Sequence, residues 1–269
     1  MPGPEDDLAL LVDAARAAGP VAMAHWRQSP RVWDKPGSAG PVTEADLAVD
    51  RLLAETLRGA RPGYGWLSEE TDDDPAGRRR RDRVFIVDPI DGTRAFIAGE
   101  AHFSHAIAVA EGGRVTAAVV FLPALDRIYA AHAGGPATCN GAAIAASAAP
   151  LAESRVLASA AALAPDLWPG GVPAVRRSFR ASLAYRLCLV AEGAFDTTLT
   201  PRPTWEWDIA AGALIAERAG ARVTDAQGGP LAFNAADPRA AGMIAAPPAL
   251  HEDFVARRLG LAQPAVSRQ

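Results

Sequence analysis

The sequence predicts an α/β protein built from two packed units, and three observations carry that prediction. Short apolar, β-branched segments crowd the middle of the chain at 84–87, 105–110, 114–122 and 126–131, with helical patterns on either side. A second alternation of strand and helix begins near Glu153. Between them, residues 134–152 are rich in Pro, Gly and Ala and make the best boundary, so units of 1–145 and 146–269 are expected. The 269 residues suit that division at roughly 150 residues per domain.

The elements follow in order. Residues 5–28 form a helix, with Leu8, Leu11, Val12 and Ala15 at helical spacing and a kink or break at Gly19-Pro20. Residues 34–42 read as a loop. Thr43-Glu44-Ala45-Asp46 is a capping-box variant that opens a second helix, with an apolar face of Leu47, Leu52, Leu53 and Leu57. Gly59 and Pro62-Gly63 end it. The charge run at 72–83 is a solvated, self-neutralising loop. Val84-Phe85-Ile86-Val87 is a buried strand, and His105–Ala110, Arg114–Leu122 and Asp126–Ala131 are further strands. In the second unit a strand is expected at 155–159 and helices at 181–193 and 208–219.

Composition excludes several classes. Hydrophobic residues at 49% and charged residues at 22% rule out a disordered chain. A net charge of −4 rules out a sequence-independent binder of nucleic-acid polymers, which needs a basic surplus, but leaves room for one positive pocket and a small phosphorylated ligand. Lys35 is the only lysine among 27 basic residues, a bias that points to a GC-rich genome. Cys139 and Cys188 lack metal-binding or disulfide spacing and read as buried free thiols, which with the absence of a basic, apolar leader suggests a cytoplasmic protein. No run of 18 strongly apolar residues marks a membrane span. His102 and His105 read as core or surface residues, and the six tryptophans as packing.

The chemistry concentrates in Asp88-Pro89-Ile90-Asp91-Gly92-Thr93, where a buried strand ends in two carboxylates three residues apart. Strand ends are where α/β proteins bind ligands. Gly92 permits close backbone approach, and a helix opening at Thr93 would aim its N–H groups at an anion. Glu69-Glu70 lies upstream and Trp207-Asp208 downstream. Glu69, Asp88, Asp91 and Asp208 together form an oxygen-donor set for a hard cation such as Mg²⁺, with no His/Cys set competing for Zn²⁺. Four clustered carboxylates repel at roughly 4 kcal/mol per pair at 4 Å in an effective dielectric near 20, a cost that bound cations remove.

These motifs together resemble the inositol monophosphatase superfamily, in particular its CysQ-like 3′(2′),5′-bisphosphate nucleotidase branch. Pro41-Val42-Thr43-Glu44-Ala45-Asp46 resembles that family's upstream motif, and Ser182–Gly193 resembles its segment beside the substrate; the resemblance spans 5 to about 245. It implies an αβαβα sandwich of two subdomains meeting at the metal site. It also implies a lithium-sensitive, Mg²⁺-dependent phosphomonoesterase using two to three ions held by Glu69, Asp88, the Ile90 carbonyl, Asp91 and Asp208. Glu69 and Thr93 would orient the attacking water, with Asp46 supporting Thr93 and Glu70 lying behind the ligands. Gly92, Thr93, Ser182, Arg186, Arg202 and Glu206 are the expected substrate contacts.

The family's inositol-binding Glu, about seven residues before the Trp-Asp pair, falls here near Pro201, and Ala181 stands where Gly usually precedes Ser182. The first departure ranks adenosine 3′,5′-bisphosphate above inositol phosphates, with fructose 1,6-bisphosphate and histidinol phosphate behind. A non-enzymatic regulatory protein and a plain metal- or phosphate-binding domain are the competing readings, although a degenerate regulator would be expected to lose a ligand first. A homodimer, common in the family, and a monomer, common in the CysQ-like branch, both stay open.

Overall fold

The computed structural model describes residues 2–35 and 40–261. Its larger sheet has seven strands in sequence order: β3 (Gly65–Ser68), β4 (Arg83–Asp91), β5 (Ser104–Glu111), β6 (Arg114–Leu122), β7 (Arg127–His132), β8 (Thr138–Cys139) and β9 (Ala142–Ala143). Only β3 and β4 run parallel; their crossover carries the short α3 (Pro75–Arg78), and the remaining pairs are antiparallel. Alternation along these strands divides the side chains between two faces. Phe85, Val87, Ile107, Val109 and Val119 pack with Leu11, Ala15, Val49, Leu53 and Leu57 of α1 (Pro4–His25) and α2 (Glu44–Ala60). Val84, Ile86, Ala108, Ala118 and Val120 pack instead with α5 (Leu183–Ala191) and α6 (Glu206–Arg218).

The second sheet has five strands in the order β11 (Arg176–Ser178), β10 (Arg155–Leu157), β12 (Thr197–Thr200), β16 (Met243–Ala246) and β14 (Arg222–Thr224). Leu157, Val223, Met243 and Ala245 turn inward to α5 and α6. Val156, Leu199, Ile244 and Ala246 turn outward to Leu250 and Phe254 of α7 (Pro248–Arg258). The layers therefore run helix, sheet, helix, sheet, helix, the αβαβα sandwich that the family resemblance implies. The larger sheet ends with β8 and β9 inside the Pro/Gly/Ala-rich stretch and the second sheet follows it, yet α5 and α6 share one apolar core with both sheets. Two antiparallel two-stranded sheets complete the fold, β1 (Val32–Asp34) with β2 (Pro41–Thr43) and β13 (Thr204–Trp205) with β15 (Arg239–Ala240). Among the described residues no helix is long and apolar enough to cross a membrane.

Several local expectations are corrected. The first helix passes unbroken through Gly19-Pro20. A Cβ at Gly19 would meet the Phe121 ring at 2.7 Å, so this glycine lets α1 lie close against β6. Leu47 is exposed; the buried face of α2 runs through Ala45, Val49, Leu53 and Leu57. The expected loop at 34–42 has strand residues at both ends, and 36–39 lie outside the described residues. The charge run is not wholly solvated, because Arg78 is buried. Its guanidinium pairs with Asp73 and donates to Asn234 Oδ1 at 2.6 Å and the Ala235 carbonyl at 2.7 Å. Trp33 and Trp205 are exposed and Cys139 is only half-buried.

Candidate active site

Strand β4 carries Asp88 and Asp91 to the cleft on an irregular end. The ladder with β5 pairs Asp88 with Ala106 and Asp91 with Ser104, and the register shifts between them. At this bulge His105 Nδ1 lies 2.5 Å from the Pro89 carbonyl, to which it can only donate. Burial lowers the His105 pKa to about 4, so the ring is neutral and clamps the bulge as a donor. The chain then turns at Gly92, whose φ of 96° lies in the left-handed region; a Cβ there would approach His102 O and Ser182 N at 3.2 Å. The short helix α4 (Thr93–Ile97) opens immediately after.

Asp88, Asp91 and Asp208, the last in the first turn of α6, offer ligand atoms all within 4.8 Å of one another. Burial, followed by repulsion from Glu69, Asp91 and Asp208, raises the Asp88 pKa well above its ordinary value. Burial, with Asp91 and Glu69, does the same to Asp208. Asp91 rises to about 6 through burial, restrained by hydrogen bonds from Ser182 and the α5 backbone. Among the described residues Asp88 Oδ1 is buried without a hydrogen-bond partner. An orphaned carboxylate oxygen inside a knot of mutually repelling acids fits a hard divalent cation.

Glu69 follows β3 and lines the same cleft. Its Oε1 lies 2.7 Å from Lys35 Nζ, which also lies 2.7 Å from Glu70 Oε1. Burial works against the charged ammonium, but Glu69 and Glu70 together raise the Lys35 pKa. Burial pushes Glu70 up to about 7 against the opposing pull of Lys35. Thr93 Oγ1 lies 3.1 Å from the Ile90 carbonyl and 3.2 Å from Asp46 Oδ1. Asp46 is itself held by the Thr43 N–H at 2.8 Å and the Thr43 hydroxyl at 2.5 Å, so one capping box starts α2 and positions Thr93.

The cleft has a volume of about 350 Å³ and gathers Glu69, Asp88, Ile90, Asp91, Gly92, Thr93, Arg186 and Asp208, with Gly40, Pro41, Arg94, Phe179 and Ala181 on its walls. Arg186 anchors its guanidinium on the Arg180 and Ala181 carbonyls and lies 4.5 Å from the Phe179 ring centroid. Burial lowers its pKa, and Asp91 and Asp208 oppose that.

Three expected substrate contacts sit elsewhere. Ser182 is buried and donates to Asp91 Oδ2 at 2.7 Å while capping α5, so it faces a carboxylate and not the open cleft. Glu206 is buried away from the cleft, where its carboxylate accepts from the Asn234 and Ala235 N–H groups at 2.6 and 2.9 Å. It and Arg78 grip the same short segment from two sides. Arg202 is exposed and outside the cleft lining. The sequence reading missed Lys35, Arg94, Phe179 and the clamp of His105. One signal was available for the first: a lone lysine in a chain that otherwise uses arginine.

The sequence profile of the inositol monophosphatase family matches residues 4–260. An inositol-1-monophosphatase of Rhizobium meliloti is 36% identical over 211 residues, 72% of this chain and 75% of its own length. A 3′-phosphoadenosine 5′-phosphate phosphatase of Mycobacterium leprae is 32% identical over 250 residues, 86% of each chain. Among solved structures, an IMPase of Thermotoga maritima superimposes with a TM-score of 0.82 at 30% identity, covering 95% of this chain and 98% of that one. A profile matched almost end to end, relatives that are phosphatases, and an acid cluster in the same sandwich lead to one conclusion: the chain belongs to the inositol monophosphatase family, whose members act on phosphate esters.

Proposed function

We propose that this protein is a Mg²⁺-dependent, lithium-sensitive phosphomonoesterase that converts adenosine 3′,5′-bisphosphate to AMP and phosphate. The observation that carries the reading is the knot of Asp88, Asp91 and Asp208, with its orphaned oxygen, opening into a cleft that Arg186 and Arg94 also line. The acids suit cations, and the guanidinium groups suit the phosphates of the substrate. Pro201, near the place of the family's inositol-binding Glu, favours the nucleotide over an inositol ester.

Glu69, Asp88, the Ile90 carbonyl, Asp91 and Asp208 would hold two to three Mg²⁺ ions. Bound Mg²⁺ would offset the clustered charge, acidify a water and stabilise charge on the phosphoryl oxygens. Thr93 keeps a hydroxyl lone pair available to the cleft because its proton is shared between Ile90 and Asp46. With Glu69 it orients the attacking water, and Glu69 accepts the proton released. Gly92 and Thr93 present backbone N–H groups to the phosphate at the mouth of α4, and Arg186, fixed by two backbone carbonyls, adds positive charge without reorganising.

The experiment is phosphate release from adenosine 3′,5′-bisphosphate and myo-inositol 1-phosphate side by side, with Mg²⁺ and then with added Li⁺. Lithium-sensitive release favouring the nucleotide is expected. Preference for the inositol ester would transfer the function to the reading favoured by the Rhizobium meliloti relative. Asp91→Asn should cut turnover at least about 10²-fold while the protein stays folded. An active variant would remove the metal centre from the reaction.

A further inference from the structure

The catalytic cleft does not end at its acids. A second cavity, about 240 Å³ in volume, is lined by Arg94, Ala95, Glu100, His102, Phe179, Arg180 and Ala181. It shares Arg94, Phe179 and Ala181 with the cleft, so the two adjoin. Together they fall within the roughly 300–1,000 Å³ of small-molecule sites.

The chemistry of this extension differs from that of the metal centre. Arg94 is exposed and makes no ion pair among the described residues. Arg180 donates to the Phe179 carbonyl at 2.8 Å and lies 5.8 Å from the Phe195 ring centroid, which fixes its stem and leaves donors unused. Arg186 lines the cleft and lies against the ring of the shared Phe179. Glu100 is the single carboxylate on the lining, against the two guanidinium groups of Arg94 and Arg180. His102 stacks on Tyr185 at 5.9 Å, and burial together with Arg180 lowers its pKa, so it offers a neutral N–H. Between them stands Phe179, 49% exposed, with Arg186 stacked against its ring. A half-exposed aromatic ring on a cleft wall is a platform for another planar group.

We infer that Arg94 and Arg180, assisted by His102, form a second anion subsite, and that Phe179 stacks a nucleobase, so the site selects nucleoside bisphosphates over monophosphates. The inference rests on the proposed phosphomonoesterase activity and names what recognises the part of the substrate that is not cleaved. One phosphate occupies the acid-lined centre, and the second reaches the arginines. A charge-assisted pair to a phosphate is stronger than a neutral hydrogen bond, so loss of both arginines should cost about tenfold or more in affinity for the second anion.

The test compares kcat/KM for adenosine 3′,5′-bisphosphate and adenosine 3′-monophosphate in the wild type, the double variant Arg94→Gln/Arg180→Gln, and Phe179→Ala. The wild type should prefer the bisphosphate by about tenfold or more. The double variant should lose most of that ratio through KM, and Arg94→Lys/Arg180→Lys should restore part of it. Phe179→Ala should raise KM for both substrates and leave the ratio in place, because both carry the base. A wild-type ratio near one, or an unchanged ratio in the double variant, overturns the subsite. Circular dichroism checks that the variants fold. Calorimetric titration with AMP and with adenosine reads the subsite without turnover: AMP should bind about tenfold more weakly to the double variant, and adenosine equally to both. Mg²⁺-dependent cleavage of p-nitrophenyl phosphate with no difference in AMP binding would keep the phosphatase and overturn the subsite. Tight AMP binding with no ester cleaved would keep the subsite and overturn the phosphatase.

Discussion

Ser182 donates its hydroxyl proton to Asp91 Oδ2 at 2.7 Å, across 91 residues of chain and between the two sheets. The same carboxylate oxygen accepts the Ala184 N–H at 2.7 Å, while Ser182 Oγ also accepts from the Tyr185 N–H and lies 3.0 Å from Ser104 Oγ. One hydroxyl therefore caps α5, fixes the rotamer of a candidate metal ligand and ties helix to strand.

Removing it should be felt at the metal before it is felt at the substrate. Ser182→Ala should weaken Mg²⁺ binding about 10–100-fold, the usual effect of losing the group that orients a ligand. The lost cap and hydrogen bond should also cost about 1–3 kcal/mol of stability. Calorimetric Mg²⁺ titration and urea unfolding check both. Unchanged Mg²⁺ affinity with a raised substrate KM would return Ser182 to the role of direct substrate contact.

Lys35 is a resident cation on Glu69 and Glu70, 2.7 Å from each. Replacing it with Gln leaves two neighbouring carboxylates uncompensated. The metal-free Lys35→Gln protein should be less stable by about 1–3 kcal/mol, somewhat under the cost of breaking a fully buried pair. Its Mg²⁺ affinity should rise several-fold, because the ion no longer shares Glu69 with an ammonium. Thermal melts with and without Mg²⁺ separate the two effects; weaker Mg²⁺ binding in the variant would mean that Lys35 supports the ion and does not compete with it.

The parts of this fold that could be read from sequence are those fixed locally. Thr43 and Asp46 cap α2 because the box is closed within four residues, and Val84–Val87 announces β4 by its own composition. The strands of the second sheet are three or four residues long, and apart from the one expected at 155–159 they are too short for any period to show. Leu47 is exposed because hydrophobicity alone does not set the phase of the helix, and small Ala45 occupies the buried position. In the site, Asp88, Asp91 and Asp208 lie together, while Glu69 lines the same cleft and is paired with Lys35. Glu206 and Ser182 were misplaced because their partners are 28 and 91 residues distant, at separations that motif spacing does not encode.

The acid knot also sets a pH dependence. Asp91 at about 6 and Glu70 at about 7 bind protons in the folded state that they have released in the unfolded chain, where carboxylates titrate near 4. Their contribution therefore falls as pH rises through roughly 4 to 7. The neutral, buried His105 and His251, each lowered to about 4, act with the opposite sign. The rise in melting temperature on adding Mg²⁺ isolates the acids, since the histidines contribute to both melts. That rise should grow steadily from pH 5 to pH 8, because Mg²⁺ binds the ionised ligands. A constant rise across this range would mean that the cluster is already ionised at pH 5.

His105 offers a test of how the bulge of β4 is held. Its Nδ1–H donates to the Pro89 carbonyl, its Nε2 is buried without a partner among the described residues, and its ring lies 6.2 Å from that of Phe121. His105→Phe keeps an aromatic ring of similar size and deletes the donor. The Pro89 carbonyl then loses its partner inside the fold, at about 1–3 kcal/mol. Asp88 and Asp91 lose the clamp between them, so Mg²⁺ affinity should fall together with stability. The variant should nevertheless tolerate acid better. A histidine at about 4 when folded and about 6.5 when unfolded costs stability as pH falls through that window, and Phe removes the cost. Urea unfolding at pH 7 and pH 5 should therefore show a penalty that shrinks at the lower pH. A penalty that is equal at both would mean that burial leaves the His105 pKa where it stands in the unfolded chain, and one that grows at pH 5 would mean that Pro89 is held by an imidazolium.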